Sequence, residues 1–394
     1  MKQGWEIKKL GDVCDFQGGS QPPKSQFVYE PKEGYVRFLQ IRDFASEKNI
    51  TYIPESKKNR HCNEDDILLG RYGASVGKVL INKSGAYNVA VMKTIPNETI
   101  LFKRYLFFYL NTNDFQTKLL NTASRSAQDG FSKDDIFDFP ILIPPLPEQQ
   151  RIVSILDEAF AAIAKAKANA EQNLQNAKEL FESYLQGVFE NGNWETKTLK
   201  ELTTKIGSGA TPRGGQESYK SEGISLVRSM NVHDWEFKER NLAFIDEKQA
   251  KELDGVTLQE QDVLLNITGA SVARCCVFPK EYLPARVNQH VSIIRPKKEL
   301  LDARFLNLLL TSKPYKDQLL FTGEQGATRQ AITKAQIESF RISIPSLKEQ
   351  QTIVRQLNAL RAKTQKLEAV YHKKLEELEE LKKSVLQKAF NGEL

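Results

Sequence analysis

Histidine and cysteine are scarce in this chain, four of each among 394 residues, and neither is spaced to hold a metal ion. Cys14 and Cys62 stand apart, Cys275 and Cys276 are adjacent, and no CxxC pair occurs. That excludes a disulfide framework or a zinc ribbon and reads as a reduced, intracellular protein. Apolar runs are short. None approaches the roughly 18 residues of a membrane span, and Met1-Lys2-Gln3-Gly4-Trp5-Glu6 lacks the apolar core of an export signal. A cytoplasmic location with no membrane partner is the expectation. Catalytic motifs are missing too. Gly73-Ala74-Ser75-Val76-Gly77-Lys78 has three residues between its glycines and continues with Val79, so it is not a Walker-type phosphate loop. Gly207-Ser208-Gly209 lacks the third glycine of a dinucleotide fingerprint, and Pro144-Pro145 follows Ile143 rather than the Asp or Asn of an amino-methylating enzyme. Asp246-Glu247-Lys248 reads as a solvated turn rather than a nuclease centre. No catalytic residue and no metal site is expected.

What the chain has is repetition. Ile143-Pro144-Pro145-Leu146-Pro147-Glu148-Gln149-Gln150 returns as Ile344-Pro345-Ser346-Leu347-Lys348-Glu349-Gln350-Gln351, 201 residues on. Trp5-Glu6-x-Lys8-x-Leu10 returns as Trp194-Glu195-x-Lys197-x-Leu199 at an offset of 189. Asp66-Ile67-Leu68-Leu69-x-x-x-Gly73-Ala74-Ser75-Val76 matches Asp262-Val263-Leu264-Leu265-x-x-x-Gly269-Ala270-Ser271-Val272 at 196, and Asn88-x-x-Val91 matches Asn288-x-x-Val291 at 200. The second copy therefore carries 12 extra residues, which belong in surface loops because the flanking motifs survive. A period this long is a duplicated domain-plus-helix module, not a solenoid. Such a module suits a ligand with two separated halves, and DNA is the obvious candidate.

The repeat divides the chain into a globular segment 1–147, a helix 148–192, a second globular segment 193–347 and a second helix 348–394. Formal charges are +3, −3, +3 and +3 in that order, so the globular parts are equally basic and the helices oppose each other. Short apolar stretches punctuated by Gly, Pro and Asn predict α+β domains with curved, mainly-β sheets, each with a helical patch, 104–120 and 303–320. In the helices, apolar spacing runs Ile152, Leu156, Ala159, Ile163, Ala166, Ala170, Ala177, Leu180, Tyr184, and again Ile353, Leu357, Leu360, Thr364, Leu367, Tyr371, Leu378, Leu381, Val385. Both seams lapse at the same place, Asn173 and Lys374. This predicts an intramolecular antiparallel coiled coil of about forty residues and roughly 60 Å, arranging the repeat with pseudo-two-fold symmetry.

Candidate DNA contacts follow from loops that recur with different tips. Arg71, Tyr72 and Lys78 surround Gly73 in the first copy; Asn266, Thr268 and Arg274 surround Gly269 in the second. Arg and Asn can make paired hydrogen bonds to base edges, and Lys supplies charge to phosphates. Arg125 and Gln128, and likewise Arg329 and Gln330, precede the strand that leads to each helix. Lys24 and Arg213 flank the Gly/Pro-rich loops, and Arg42, Arg228 and Asn231 end early strands.

At full length, the repeated Ile-Pro-x-Leu-x-Glu-Gln-Gln hinges, the Asp-Ile/Val-Leu-Leu…Gly-Ala-Ser-Val loops, Asn288-Gln289-His290-Val291 and the globular–helix–globular–helix order resemble the specificity subunit of a type I restriction-modification system. The resemblance implies two target recognition domains, each reading half of a bipartite double-stranded DNA sequence, and helices that act as a ruler and as the docking site for two modification subunits. S-adenosylmethionine and the adenine methyltransferase centre would then reside on those subunits. ATP and Mg would be bound elsewhere in the complex, with the restriction (motor and nuclease) subunits, and no cofactor would reside in this chain. Asn88-Val89-Ala90-Val91 departs from the Gln-His pattern of the second copy. Two rival readings stay open from residues alone: a coiled-coil scaffold that does not bind DNA, and a self-sufficient methyltransferase-nuclease, which the missing motifs oppose.

Overall fold

The computed structural model describes residues 4–125, 130–324 and 331–394. It divides into two compact units, Met1–Glu171 with Lys373–Leu394, and Gln172–His372. Each unit takes one globular segment and half of each long helix, Leu146–Glu190 and Leu347–Phe390, so the units cut across the four segments read from the sequence. Among the described residues no helix is long and apolar enough to cross a membrane.

In the first unit, strands Cys14–Gly18, Val91–Pro96, Leu68–Gly70 and Val79–Leu80 lie side by side in that order as an antiparallel sheet. Tyr52–Pro54, Tyr35–Leu39, Gly85–Tyr87 and His61–Cys62 form a second sheet, with one parallel pairing, Tyr35–Leu39 to Gly85–Tyr87. Alternation sets the faces: Cys14 and Phe16 are buried while Asp15 between them is exposed. The helical patch breaks in two, Lys103–Leu110 and Asn113–Ala123, because the Thr112 hydroxyl accepts from Phe115 N at 3.3 Å and starts a new helix. The main core joins Leu69, Met92, Tyr105, Leu106 and Phe115 to Ile152 and Leu156 of the first long helix and to Leu386 and Ala389 of the second. The helix halves run antiparallel: Arg151 donates to the Leu394 carbonyl (2.8 Å), Lys382 lies 5.2 Å from the Phe160 ring, and Lys167 pairs with Glu379 (2.5 Å).

The second unit repeats this plan with Thr203–Ser208, Val291–Pro296, Val263–Asn266 and Cys275–Val277 in one sheet, and Ala243–Ile245, Ile224–Val227 and Ala285–Val287 in another. Its extra residues include a hairpin, Val232–His233 with Glu236–Phe237, and a helix, Glu247–Glu252. Asp246-Glu247-Lys248 is thus a helix start and not a turn. Asp246 accepts from Gln249 N (2.9 Å) while the Gln249 side chain accepts from Asp246 N (3.0 Å), a capping box.

The repeated hinge has a physical explanation. Gln149 and Gln350 are fully buried, and each side chain makes the same three bonds. Gln149 accepts from Phe102 N (2.8 Å) and donates to the Ile100 and Pro144 carbonyls (2.8 Å each). Gln350 accepts from Asp302 N and donates to the Leu300 and Pro345 carbonyls, all at 2.9 Å. One amide thus clamps the start of each long helix to its globular part. The second helix ends in a Schellman turn: Gly392 has φ +74°, its N–H reaches the Ala389 carbonyl, and Glu393 N reaches that of Lys388.

The heptad seam holds at Ile152, Leu156, Ile163, Ala170, Ala177, Ile353, Leu357 and Thr364, which are buried, and fails at other positions. Leu180, Tyr184, Leu367 and Leu381 are 43–51% exposed, whereas Phe181, Leu185 and Phe189 are buried. In the second unit, those three residues leave the seven-residue pattern for a four-residue spacing and enter the core of the globular part, together with Ile353, Val354 and Leu357. Packing on a domain asks for a broader apolar face than a two-helix seam.

Candidate nucleic-acid interface

In each unit four loops meet at one end of the sheets. In the first, Gly19 N donates to the Val91 carbonyl (3.1 Å), and Asn88 Nδ2 donates to Gln21 Oε1 (3.2 Å), joining the Gly-rich loop to the turn at 88–90. Arg71 N donates to the Ala90 carbonyl (2.9 Å), its Nε donates to the Phe131 carbonyl (3.2 Å), and Tyr72 bridges to Gly130. In the second, Gly209 N donates to the Asn288 carbonyl (3.1 Å), Ile267 N to that of His290 (3.0 Å), and Thr268 bridges to Ala331.

The residues shared by the two copies build this frame. Gly73 and Gly269 take φ of +53° and +75°, a left-handed turn that side chains resist, and Val76 N and Val272 N close it onto their carbonyls. Asn88 Oδ1 accepts from Ala90 N (2.7 Å) and Asn288 Oδ1 from His290 N (3.0 Å), the same Asx turn twice. Asp66 accepts from Asn63 N and Lys93 (2.9 Å each), and the fully buried Asp262 accepts from Gln259 N (2.7 Å) and twice from Arg295 (2.7 and 2.8 Å).

The expected contact residues fare differently. Arg71 and Tyr72 sit half-buried at the centre of the first cluster, with the guanidinium 5.0 Å from the Tyr72 ring; Lys78 is exposed beside them. Arg125 is exposed just after the helix Asn113–Ala123. Thr268 and Arg274 hold the corresponding places in the second unit, both half-buried, Thr268 bonded to His290 Nδ1 (2.6 Å). Lys24 and Arg213 are exposed on the outer loops. Gln128, Arg329 and Gln330 lie outside the described residues.

Asn231 and Asn266 do not stand at exposed loop tips. Both are fully buried: Asn231 donates to the Lys238 carbonyl (2.8 Å) and accepts from Arg228 N (3.1 Å), and Asn266 donates to the Ser229 carbonyl (2.9 Å). Buried in this way, their amides hold loops together. Arg42 and Arg228, which both follow early strands, are not equivalent positions of the repeat. Asp43 accepts from Gln40 N (2.6 Å) as Asn231 does from Arg228 N, so Gln40 corresponds to Arg228 and the exposed Arg42 to Met230. Burial raises the pKa of Asp43, a cost the neutral Asn231 avoids. Arg228 is partly spent on structure, donating to the Asn241 carbonyl (2.5 Å).

Sequence reasoning missed a chain of side chains in the second unit. Thr211 Oγ1 meets Gln289 Oε1, Gln289 Nε2 meets His290 Nε2 at 3.1 Å, and His290 Nδ1 meets Thr268. The available signal was that Gln289-His290 replaces Val89-Ala90 inside an otherwise shared Asn-x-x-Val turn.

A family model for the type I restriction modification DNA specificity domain matches residues 2–173 and again 191–380. The chain belongs to that family. It is a DNA-recognition subunit of a type I restriction-modification complex, and a non-catalytic one. It is 24% identical to the MjaVIII specificity subunit of Methanocaldococcus jannaschii, an alignment covering 100% of this chain and 93% of that protein. It is 22% identical to the EcoKI specificity subunit of Escherichia coli, covering 100% and 90%. In fold it is similar to the HsdS subunit from Thermoanaerobacter tengcongensis, with a TM-score of 0.65 at 19% identity, covering 100% and 98%. A chain from a study of complex assembly and conformational transition in the type I R-M system gives a TM-score of 0.78 at 18% identity, covering 100% and 99%.

Proposed function

We propose that each unit reads one half of a bipartite, asymmetric DNA target through its four-loop face, and that the paired helices set the gap between the halves. The observation that carries this is the division of labour within the repeat. Residues shared by both units fix the turns, while the tips differ: Arg71 against Ile267, Tyr72 against Thr268, Val89-Ala90 against Gln289-His290. Lys78 and Arg274 keep only their charge, as phosphate contacts do. The exposed Leu180 and Leu381 occupy equivalent positions of the two helices and recur once in each unit. That supports docking of two modification subunits, which bring S-adenosylmethionine. Restriction subunits, with ATP and Mg, complete a complex acting on DNA in the cytoplasm.

The ruler is tested by inserting four residues after Asn173 and four after Lys374. Each insertion adds about 6 Å to its helix, or one to two base pairs at about 3.4 Å each. The gap between half-sites is expected to lengthen by that amount while the half-sites stay the same. An insertion variant that modifies DNA with the original gap refutes the ruler.

A further inference from the structure

We infer that Gln289 is a base-reading residue of the second unit, oriented by His290 and Thr211 to take the N6/N7 edge of an adenine. The inference rests on the proposed role of the four-loop face and deepens it. Gln289 is exposed at the tip of a turn whose base is fixed by the buried Asn288, with Asn288 N donating to the Val227 carbonyl (3.0 Å) and Asn288 Oδ1 accepting from His290 N (3.0 Å). Its amide is held at both ends. Read as one directed chain, the Thr211 hydroxyl donates to Gln289 Oε1, Gln289 Nε2 donates to His290 Nε2, and His290 Nδ1–H donates to the Thr268 hydroxyl. A primary amide offers two N–H groups and two lone pairs on oxygen, so one of each is left over. One donor and one acceptor on a pre-set amide is what adenine's major-groove edge takes in a paired contact.

The first unit shows that the fold does not ask for this pair. There the same turn closes with Asn88 Oδ1 on Ala90 N (2.7 Å), yet its tip is Val89-Ala90, which have no side-chain hydrogen-bonding group. The turn therefore closes without a Gln-His pair, and the exposed Gln289 has no part in closing it. His290 is a positioning residue: its Nε2 and Nδ1 are both engaged within the chain, and it sets the amide rather than touching the base. Val89 offers the first half-site only an apolar contact, such as one to a thymine methyl.

The test uses the complete chain assembled with its modification subunits and a DNA library randomised across both half-sites, read by mapping methylated adenines. Gln289→Ala is expected to lower discrimination at one A·T position of one half-site by about 10- to 100-fold, leaving the other half-site unchanged. His290→Ala is expected to relax the same position less. Gln289→Val, which copies the first unit, keeps the turn and serves as the folding control, and it too is expected to lose the adenine preference. A uniform drop in methylation of all sequences, or an unchanged preference in Gln289→Ala, overturns the inference alone. A wild-type complex with no two-part target overturns the reading beneath it.

Discussion

In the first unit, Phe160 of the first helix lies beneath Lys382 of the second; in the second unit, Phe181 of the first helix meets Trp235 edge-on, and Arg361 of the second helix sits 4.6 Å over that indole. Phe160 and Arg361 are equivalent in the repeat, as are Phe181 and Lys382. In the first unit the pairing of unlike helices sets a ring beneath a cation; in the second, Trp235 receives both the Phe181 ring and the Arg361 cation. Pairing like helices would set ring on ring or cation on cation at the equivalent positions. The formal charges, −3 and +3, point the same way. Burial lowers the pKa of Arg361, with Glu236 opposing the shift, whereas Lys382 of the first unit is exposed. The Trp235 hairpin that encloses Arg361 has no counterpart among the described residues of the first unit. Likewise Arg104 reaches Asp157 at 2.7 Å, whereas the equivalent positions of the second unit are Arg304 and the uncharged Asn358. The two units agree in their clamps and turns and differ in how their helices are secured and in what their loop tips present.

The sharpest way to break this comparison is to attack the clamp. Gln149→Leu should destabilise the first unit, and Gln350→Leu the second, each by about 3 kcal/mol or more, because buried backbone groups lose their partners. The neighbouring exposed glutamines are the control: Gln150→Ala and Gln351→Ala should fall within about 0.5 kcal/mol of wild type. Denaturant unfolding followed through Trp5 for one unit and Trp194 or Trp235 for the other would distinguish them. Equal losses for the exposed and buried glutamines would remove the clamp from the account.

Arg71 sharpens the comparison at the tips. It is present in one unit only, and its Nε is already spent on the Phe131 carbonyl, which leaves its terminal nitrogens for a base. Arg71→Ala is expected to cost roughly 1–3 kcal/mol of discrimination at one position of one half-site. Equal weakening on every sequence would make it a phosphate contact instead. Arg274 should behave in that second way: Arg274→Ala lowers affinity for all sequences alike and reduces the salt slope by about one phosphate's worth. A sequence-dependent loss would show that charge is not all that position conserves.

Much of the frame was legible because duplication repeats it. The hinge, the Gly-Ala-Ser-Val turn and the Asn-x-x-Val turn recur with their spacing, and each is a local backbone device that a sequence can spell out. Burial was not legible. Asn231 and Asn266 look like Arg42 and Arg71 in the sequence, polar residues at loop tips, yet tertiary contacts turn their amides inward. The helix seam misled for a related reason. A heptad assumes that a partner helix is the only neighbour, but Phe181, Leu185 and Phe189 face a globular core as well. The chain from Thr211 to Thr268 could not be seen either, since it joins residues from three separate loops.

The central claim is that one frame, used twice, carries two different readers. The most direct measurement is the map of methylated adenines in DNA modified by the complex containing this chain. The account predicts two unlike half-sites separated by a fixed run of unspecified base pairs. A palindromic target, or a single uninterrupted one, would contradict it.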